Sequence, residues 1–287
     1  MAKTHYQIGI NTNCGCGDTL EETLRNIKAA GFRHIMLLPS KNGDLEQELE
    51  LATRIGLKVA FVHLPHWLEV NNFWTVGRES DELINKVIEQ IKVCDKYGAR
   101  VAVIHSTKRS VESNLQLTPH GVNSFRKLLQ ATEKCSIKIA IENLHSSESK
   151  FMEFLFDKIK DERLGLCYDC GHHNLADPNT DWLGKYGDRC FAIHLHDNLM
   201  DLPKIGIRGH DLHMLPFDGK IDFEKVIRGI AKSKYRDIIM IESSRLESSF
   251  YQNISPTEFL REAKSRGEKL AKMLDAARKK ISLKLLT

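Results

Sequence analysis

LGLCYD (residues 164–169) is a short apolar run that closes on an acid, and the run recurs along the chain. Buried strands rarely tolerate an ionisable group unless it is paired or bound to a cation. The same ending appears in KVAFVH (58–63), RVAVIH (100–105), KIAIE (138–142) and DIIMIE (237–242). A sixth run, CFAIHLHDN (190–198), carries its first histidine, His194, at the corresponding place. One such ending is noise. Six in one register predict a ring of ligands around a common axis.

Working outward, strand-like runs near 6–12, 34–38, 58–63, 100–105, 138–143, 164–169, 190–196 and 237–242 alternate with helical patterns. In LEETLRNIKAA (20–30) apolar residues recur at three and four before Gly31 stops the helix. Leu83, Ile84, Val87, Ile88 and Ile91 repeat that period before Gly98, and residues 221–230 do so again. A last helix is expected from Pro256 to about Leu285, with the proline in its first turn. Eight strand–helix units without a Pro-, Gly- or Ser-rich linker predict an α/β chain folded as a single (β/α)8 TIM barrel over residues 1–287. An open doubly wound sheet is the competitor, but no GxGxxG follows the first strand; NTNCGCG (11–17) is only glycine-rich. Barrel enzymes place reacting groups at the carboxyl ends of strands, where these ligands fall. The segment at 181–186 is a short, weak helix. The irregular stretches 64–79 and 197–220 have the length of functional lids.

With 287 residues and 41% hydrophobic content, the chain can bury one large core. Its formal net charge of +4 does not demand a nucleic-acid partner. The opening MAKTHYQ lacks an apolar h-region, and no window approaches the ~18 apolar residues of a membrane span. Seven cysteines form no disulfide-framework spacing, so a reducing cytoplasm is expected. Cys167 and Cys170 look like a CxxC pair, yet period-two alternation puts them on opposite faces of strand six. Cys14 and Cys16 are read as loop residues.

The ordered set IEN (141–143), YDCGH (168–172), HLHDN (194–198), DLHMLPFDGKID (211–222) and IES (241–243) resembles the xylose isomerase-like TIM-barrel superfamily. That superfamily includes sugar isomerases and epimerases, inosose-processing enzymes and endonuclease IV. The resemblance covers nearly the whole chain. It implies that Glu142, Asp169, His194 and Glu242 share one divalent cation. Three carboxylates packed together raise one another's pKa values, and a cation removes that penalty. Three oxygen donors and one imidazole suit Mn²⁺, Mg²⁺, Co²⁺ or Zn²⁺ without choosing between them. His63, His105, His172, Asp211 and His213 match further positions that touch substrate in mononuclear relatives and hold additional zinc ions in endonuclease IV.

The resemblance implies a metal-dependent isomerase or epimerase of a sugar, sugar phosphate or cyclitol-like polyol. Glu142 and Glu242 would move a carbon-bound proton while the cation stabilises an enediolate; His172 would orient a substrate hydroxyl. The alternative is an endonuclease IV-like multinuclear zinc phosphodiesterase acting on abasic DNA. A lyase on a cyclic polyol would use the same base, and a polyol-binding module would use none. Two tryptophans, Trp67 and Trp74, fall in HWLEVNNFW (66–74), where aromatic rings would stack on a sugar or base, or equally form a hydrophobic plug or a dimer contact. Met200 stands where ketose 3-epimerases carry arginine, with Arg208 the nearest substitute. Lys108, Arg109, Lys204 and Arg245 also follow strand ends, as groups for a phosphate or carboxylate. The partner is a small carbohydrate, with a homo-oligomer left open.

Overall fold

The computed structural model describes residues 5–40, 43–66, 68–108, 115–144, 146–199 and 211–284. Of the residues singled out above, Trp67, Arg109, Met200, Lys204 and Arg208 lie outside them.

Eight parallel strands are present: β1 (Ile8–Asn11), β2 (His34–Leu37), β3 (Lys58–His63), β4 (Val101–Ile104), β5 (Lys138–Glu142), β6 (Leu164–Asp169), β7 (Cys190–His194) and β8 (Ile239–Ile241). They run in the order β7-β6-β5-β4-β3-β2-β1-β8. Beyond the end of β7 the backbone returns to β8. Leu195 N–H donates to the Met240 carbonyl at 3.0 Å and its own carbonyl accepts from Glu242 N–H at 3.1 Å. This bridge closes the barrel and sets Glu242 beside His194. The chain is thus a single (β/α)8 TIM barrel.

The helices form where the sequence supplies caps and stops. α1 (Leu20–Ala29) starts at Thr19, whose hydroxyl accepts from Glu22 N–H. Gly31 then takes φ 83, the left-handed backbone that ends a helix. α2 (Leu45–Ile55) starts at Asp44, and α3 (Arg78–Lys96) is followed by α4 (Pro119–Ala131), with Thr118 as cap and Pro119 in its first turn. After α5 (Ser146–Lys158) comes α6 (Cys170–Ala176), a short helix that the sequence pattern does not announce, and then α7 (Trp182–Tyr186), which is the short segment expected at 181–186. α8 (Phe223–Lys232) and α9 (Pro256–Lys284) complete the outer layer. No described helix is long and apolar enough to cross a membrane.

Two apolar layers follow from the alternation of strand side chains. Ile10, Ile35, Val62, Ile104, Ile141 and Leu166 pack outward against the helices. Met36, Phe61, Val103, Ala140, Cys167, Ala192 and Met240 form a separate buried cluster that fills the barrel below the mouth. Cys167 and Cys170 fall in different clusters, but Cys170 already belongs to α6 and not to strand six, so strand alternation does not govern the pair. All seven cysteines are free thiols.

Both long irregular stretches are tied down where they are described. Residues Val70–Trp74 form a 3-10 turn. Asp197 anchors the other stretch: its Oδ1 accepts from Asn198 N–H at 2.8 Å and Ile221 N–H at 3.0 Å, and Oδ2 from Phe217 N–H at 3.0 Å. Asp197 is fully buried, so removing it strands three backbone donors. Asp197→Ala is expected to lower stability by about 3 kcal/mol or more, read from the urea-unfolding midpoint. A loss below about 1 kcal/mol would show that water replaces the carboxylate there.

Candidate metal centre

Register brings the strand-end ligands to one level. Across β6 and β7, Asp169 pairs with His194; across β5 and β6, Glu142 pairs with Cys167. Asn143 locks these two ends. Its side-chain amide donates to the Asp169 carbonyl at 2.9 Å, and its Oδ1 accepts from Asp169 N–H at 2.8 Å. Asp169 is also the N-cap of α6, its Oδ1 accepting from His172 N–H at 2.7 Å. One side chain therefore starts a helix and faces the barrel axis.

Glu142, Asp169, His194 and Glu242 each offer a donor atom within 4.8 Å of the others, and all four are buried. His194 is the hub. Its Nδ1 lies 2.9 Å from Glu142 Oε1, 2.8 Å from Glu242 Oε2 and 3.7 Å from Asp169 Oδ2. Its Nε2 faces the Cys167 sulfur at 3.3 Å. Glu142 is a bridge, since its other oxygen, Oε2, meets His63 Nε2 at 3.1 Å and His105 Nε2 at 2.8 Å. His172 Nε2 meets Asp211 Oδ2 at 3.1 Å. Two further donor groups thus adjoin the first: His63–His105–Glu142 and His172–Asp211–His213. All nine candidate ligands gather at one end of the barrel.

Charge explains why these groups tolerate burial. Desolvation pushes the Glu142 carboxyl up, but hydrogen bonds from His105, His194 and His63 outweigh it and hold it well below the ordinary range. Desolvation likewise opposes ionised Asp169, and the positive fields of His172 and His196 override it. Glu242 is lowered, against its burial, mainly by His194. Burial would discharge His194, yet Cys167, Glu242 and Asp169 raise it well above the usual imidazole value. Imidazolium protons and a divalent cation are interchangeable solutions to one problem, the repulsion of buried carboxylates. The donor set, three carboxylates with one imidazole, fits such an ion.

The mouth encloses a cavity of about 680 Å³, walled beside the ligands by Asn11, Asn13, Leu38, Leu68, Lys108, Ser244 and Glu247. Of the proposed substrate contacts, Trp74 does not line it. The 3-10 turn tucks this ring under the surface, 2% exposed. Its indole N–H donates to the Ser106 carbonyl at 2.7 Å, and the ring meets Phe151 edge-on at 4.7 Å. Arg245 is also spent on structure, its Nε donating to the Gly15 carbonyl at 2.9 Å. Lys108 is at the wall, as its position after β4 implies.

One buried residue escaped the sequence reading. His196 is fully buried, with Nε2 3.1 and 3.2 Å from the two Asp169 oxygens. Gly171 makes room for it: a Cβ there would lie 2.0 Å from the His196 ring. Read as a strand over 190–196, the run puts residues 194 and 196 on one face, although β7 itself ends at His194.

A family described as the xylose isomerase-like TIM barrel matches residues 24–276. The chain belongs to this family. An uncharacterized protein, y4fM of Sinorhizobium fredii (strain NBRC 101917 / NGR234), is 28% identical over 275 residues, spanning 81% of this chain and 85% of its own. Solved structures share the fold, and two of them serve as examples. A D-tagatose 3-epimerase-like protein matches with TM-score 0.72 and 18% identity over 96% of this chain and 99% of its own. An IOLI protein with a binding zinc atom matches with TM-score 0.69 and 16% identity over 92% and 98%.

Coordination requires His194 to surrender a proton that its raised pKa retains near neutral pH. Uptake of Zn²⁺ or Mn²⁺ by the stripped protein is therefore expected to release protons and to weaken as pH falls. Calorimetry in buffers of different ionisation enthalpy measures this. Buffer-independent heats, with affinity unchanged between pH 6 and 8, would contradict it.

Proposed function

We propose that the chain is a divalent-metal-dependent isomerase or epimerase of a sugar, sugar phosphate or cyclitol-like polyol. The observation that carries this reading is the approach of two carboxylates, from strands three apart in the barrel, to one imidazole nitrogen. Glu142 at the end of β5 and Glu242 just after β8 lie 2.9 and 2.8 Å from His194 Nδ1. A polyol seated between them would present a carbon-bound proton to one carboxylate and receive it from the other. Return to the neighbouring carbon gives isomerisation; return from the opposite face gives epimerisation. Glu142, Asp169, His194 and Glu242 would hold a Mn²⁺, Mg²⁺, Co²⁺ or Zn²⁺ ion, which when bound supplies Lewis-acid stabilisation of charge on the substrate oxygens.

The remaining groups fit that work. His172, held by Asp211, would orient a hydroxyl. Lys108 at the wall would favour a phosphorylated or acidic polyol. The cavity volume suits a small ligand. The fold shared with a D-tagatose 3-epimerase-like protein supports an epimerase, and that shared with an IOLI protein with a binding zinc atom supports a metal centre.

The test is solvent exchange. Metal-loaded protein incubated with a ketose and cyclitol panel in deuterated water is expected to place deuterium on a carbon of the active substrate. Glu142→Gln and Glu242→Gln should each slow turnover by about 10²–10⁴-fold. Turnover with no deuterium entering any carbon would remove the proton-transfer mechanism.

A second reading, a multinuclear zinc phosphodiesterase acting on abasic DNA, is favoured by the bridging of Glu142. Its two oxygens face different histidine groups, His194 on one side and His63 with His105 on the other. This is how a carboxylate spans two ions in a phosphoester-cleaving centre. It requires about three zinc ions per chain and nicking of abasic duplex; a protein that holds several ions yet leaves such duplex intact would remove it.

A further inference from the structure

His196 belongs to none of the donor groups used so far, yet its surroundings are those of a ligand. Its Nε2 donates to Asp169, because a carboxylate can only accept. Its Nδ1 is buried and has no hydrogen-bond partner among the described residues. A buried imidazole nitrogen in that state lacks compensation for its lost water. The ring stacks on His213, with centroids 4.4 Å apart and planes 23° apart.

His213 is prepared in the same direction. Its Nδ1 lies 2.6 Å from Glu247 Oε2. A carboxylate on one nitrogen fixes the tautomer and leaves the other nitrogen's lone pair for a cation, the usual support of a metal-bound histidine. His213 also holds φ 42, left-handed backbone that a non-glycine residue rarely adopts and that functional sites retain. Glu242 completes the group: a nitrogen of His196, a nitrogen of His213 and an oxygen of Glu242 lie within 4.8 Å of one another.

We propose that His196, His213 and Glu242 hold a second divalent cation beside the one assigned to Glu142, Asp169, His194 and Glu242. Two imidazoles and one carboxylate suit Zn²⁺, Co²⁺ or Fe²⁺ and leave positions for a substrate oxygen. Glu242 bridges the two ions. Asp169 links them indirectly, through its contacts with His194 and His196. The assignment competes with one in which His213 serves His172 and Asp211. It stands whichever reaction the site performs.

The test counts cobalt. Protein stripped by chelator is dialysed against Co²⁺, and ions per chain are measured by elemental analysis and chelator competition. Folding of each variant is checked by thermal melting. Wild-type protein is expected to hold at least two ions. His196→Asn and His213→Ala should each lose one, or bind it at least 10-fold more weakly, while another remains. Asp211→Asn should keep it. His213 is partly exposed, so its variant tests the idea even if the buried His196 does not tolerate change. A full count in His196→Asn overturns the proposal. So does loss of the same ion in Asp211→Asn, which assigns it to His172–Asp211–His213. A single ion in wild-type protein overturns this inference alone and leaves the first site standing; no ion at all overturns both.

Discussion

Like charges confined to a dry space are the constraint on which this molecule is built. Glu142, Asp169 and Glu242 meet at one end of the barrel with almost no access to water. Left alone they would protonate or force the strand ends apart. What keeps them ionised is the ring of imidazoles around them: His194 faces all three carboxylates, His63 and His105 meet Glu142, and His196 meets Asp169. The barrel brings those donors from six strands to one level. Its closure through Leu195 matters for that reason, since the same backbone contacts that seal β7 to β8 also set Glu242 against His194.

Rigidity at the mouth comes from polar clamps rather than from packing alone. Asn143 ties β5 to β6, Asp169 caps α6 while facing the axis, and Asp197 gathers three backbone donors of the returning chain. Beneath them sits Cys167, whose sulfur meets His194 Nε2. Burial pushes this thiol up to about 12, so it stays protonated and neutral.

Much of this was legible in the chain because strands advertise themselves by period and by how they end. All eight strands, the glycine stops after Ala30 and Tyr97, and the convergence of Glu142, Asp169, His194 and Glu242 follow from patterns within short windows. His196 is harder to read: in HLHDN the first histidine carries the resemblance, and β7 ends before the second. Trp74 shows a real limit. An aromatic residue in a loop reads equally as a stacking surface or a plug, and only the turn at Val70–Trp74 with the Ser106 carbonyl decides for the plug. Glu247 was invisible for another reason. It lies in an aperiodic stretch after β8, and its contact with His213 joins residues 34 positions apart.

The most direct measurement is anomalous diffraction from crystals loaded with one equivalent of Zn²⁺. The expected result is a peak at about 2.0–2.2 Å from oxygens of Glu142, Asp169 and Glu242 and from Nδ1 of His194, with Cys167 sulfur outside the coordination sphere. A zinc peak away from these four residues, or their donor atoms found too far apart to share an ion, would contradict the claim that buried charge at the barrel mouth is organised around a cation.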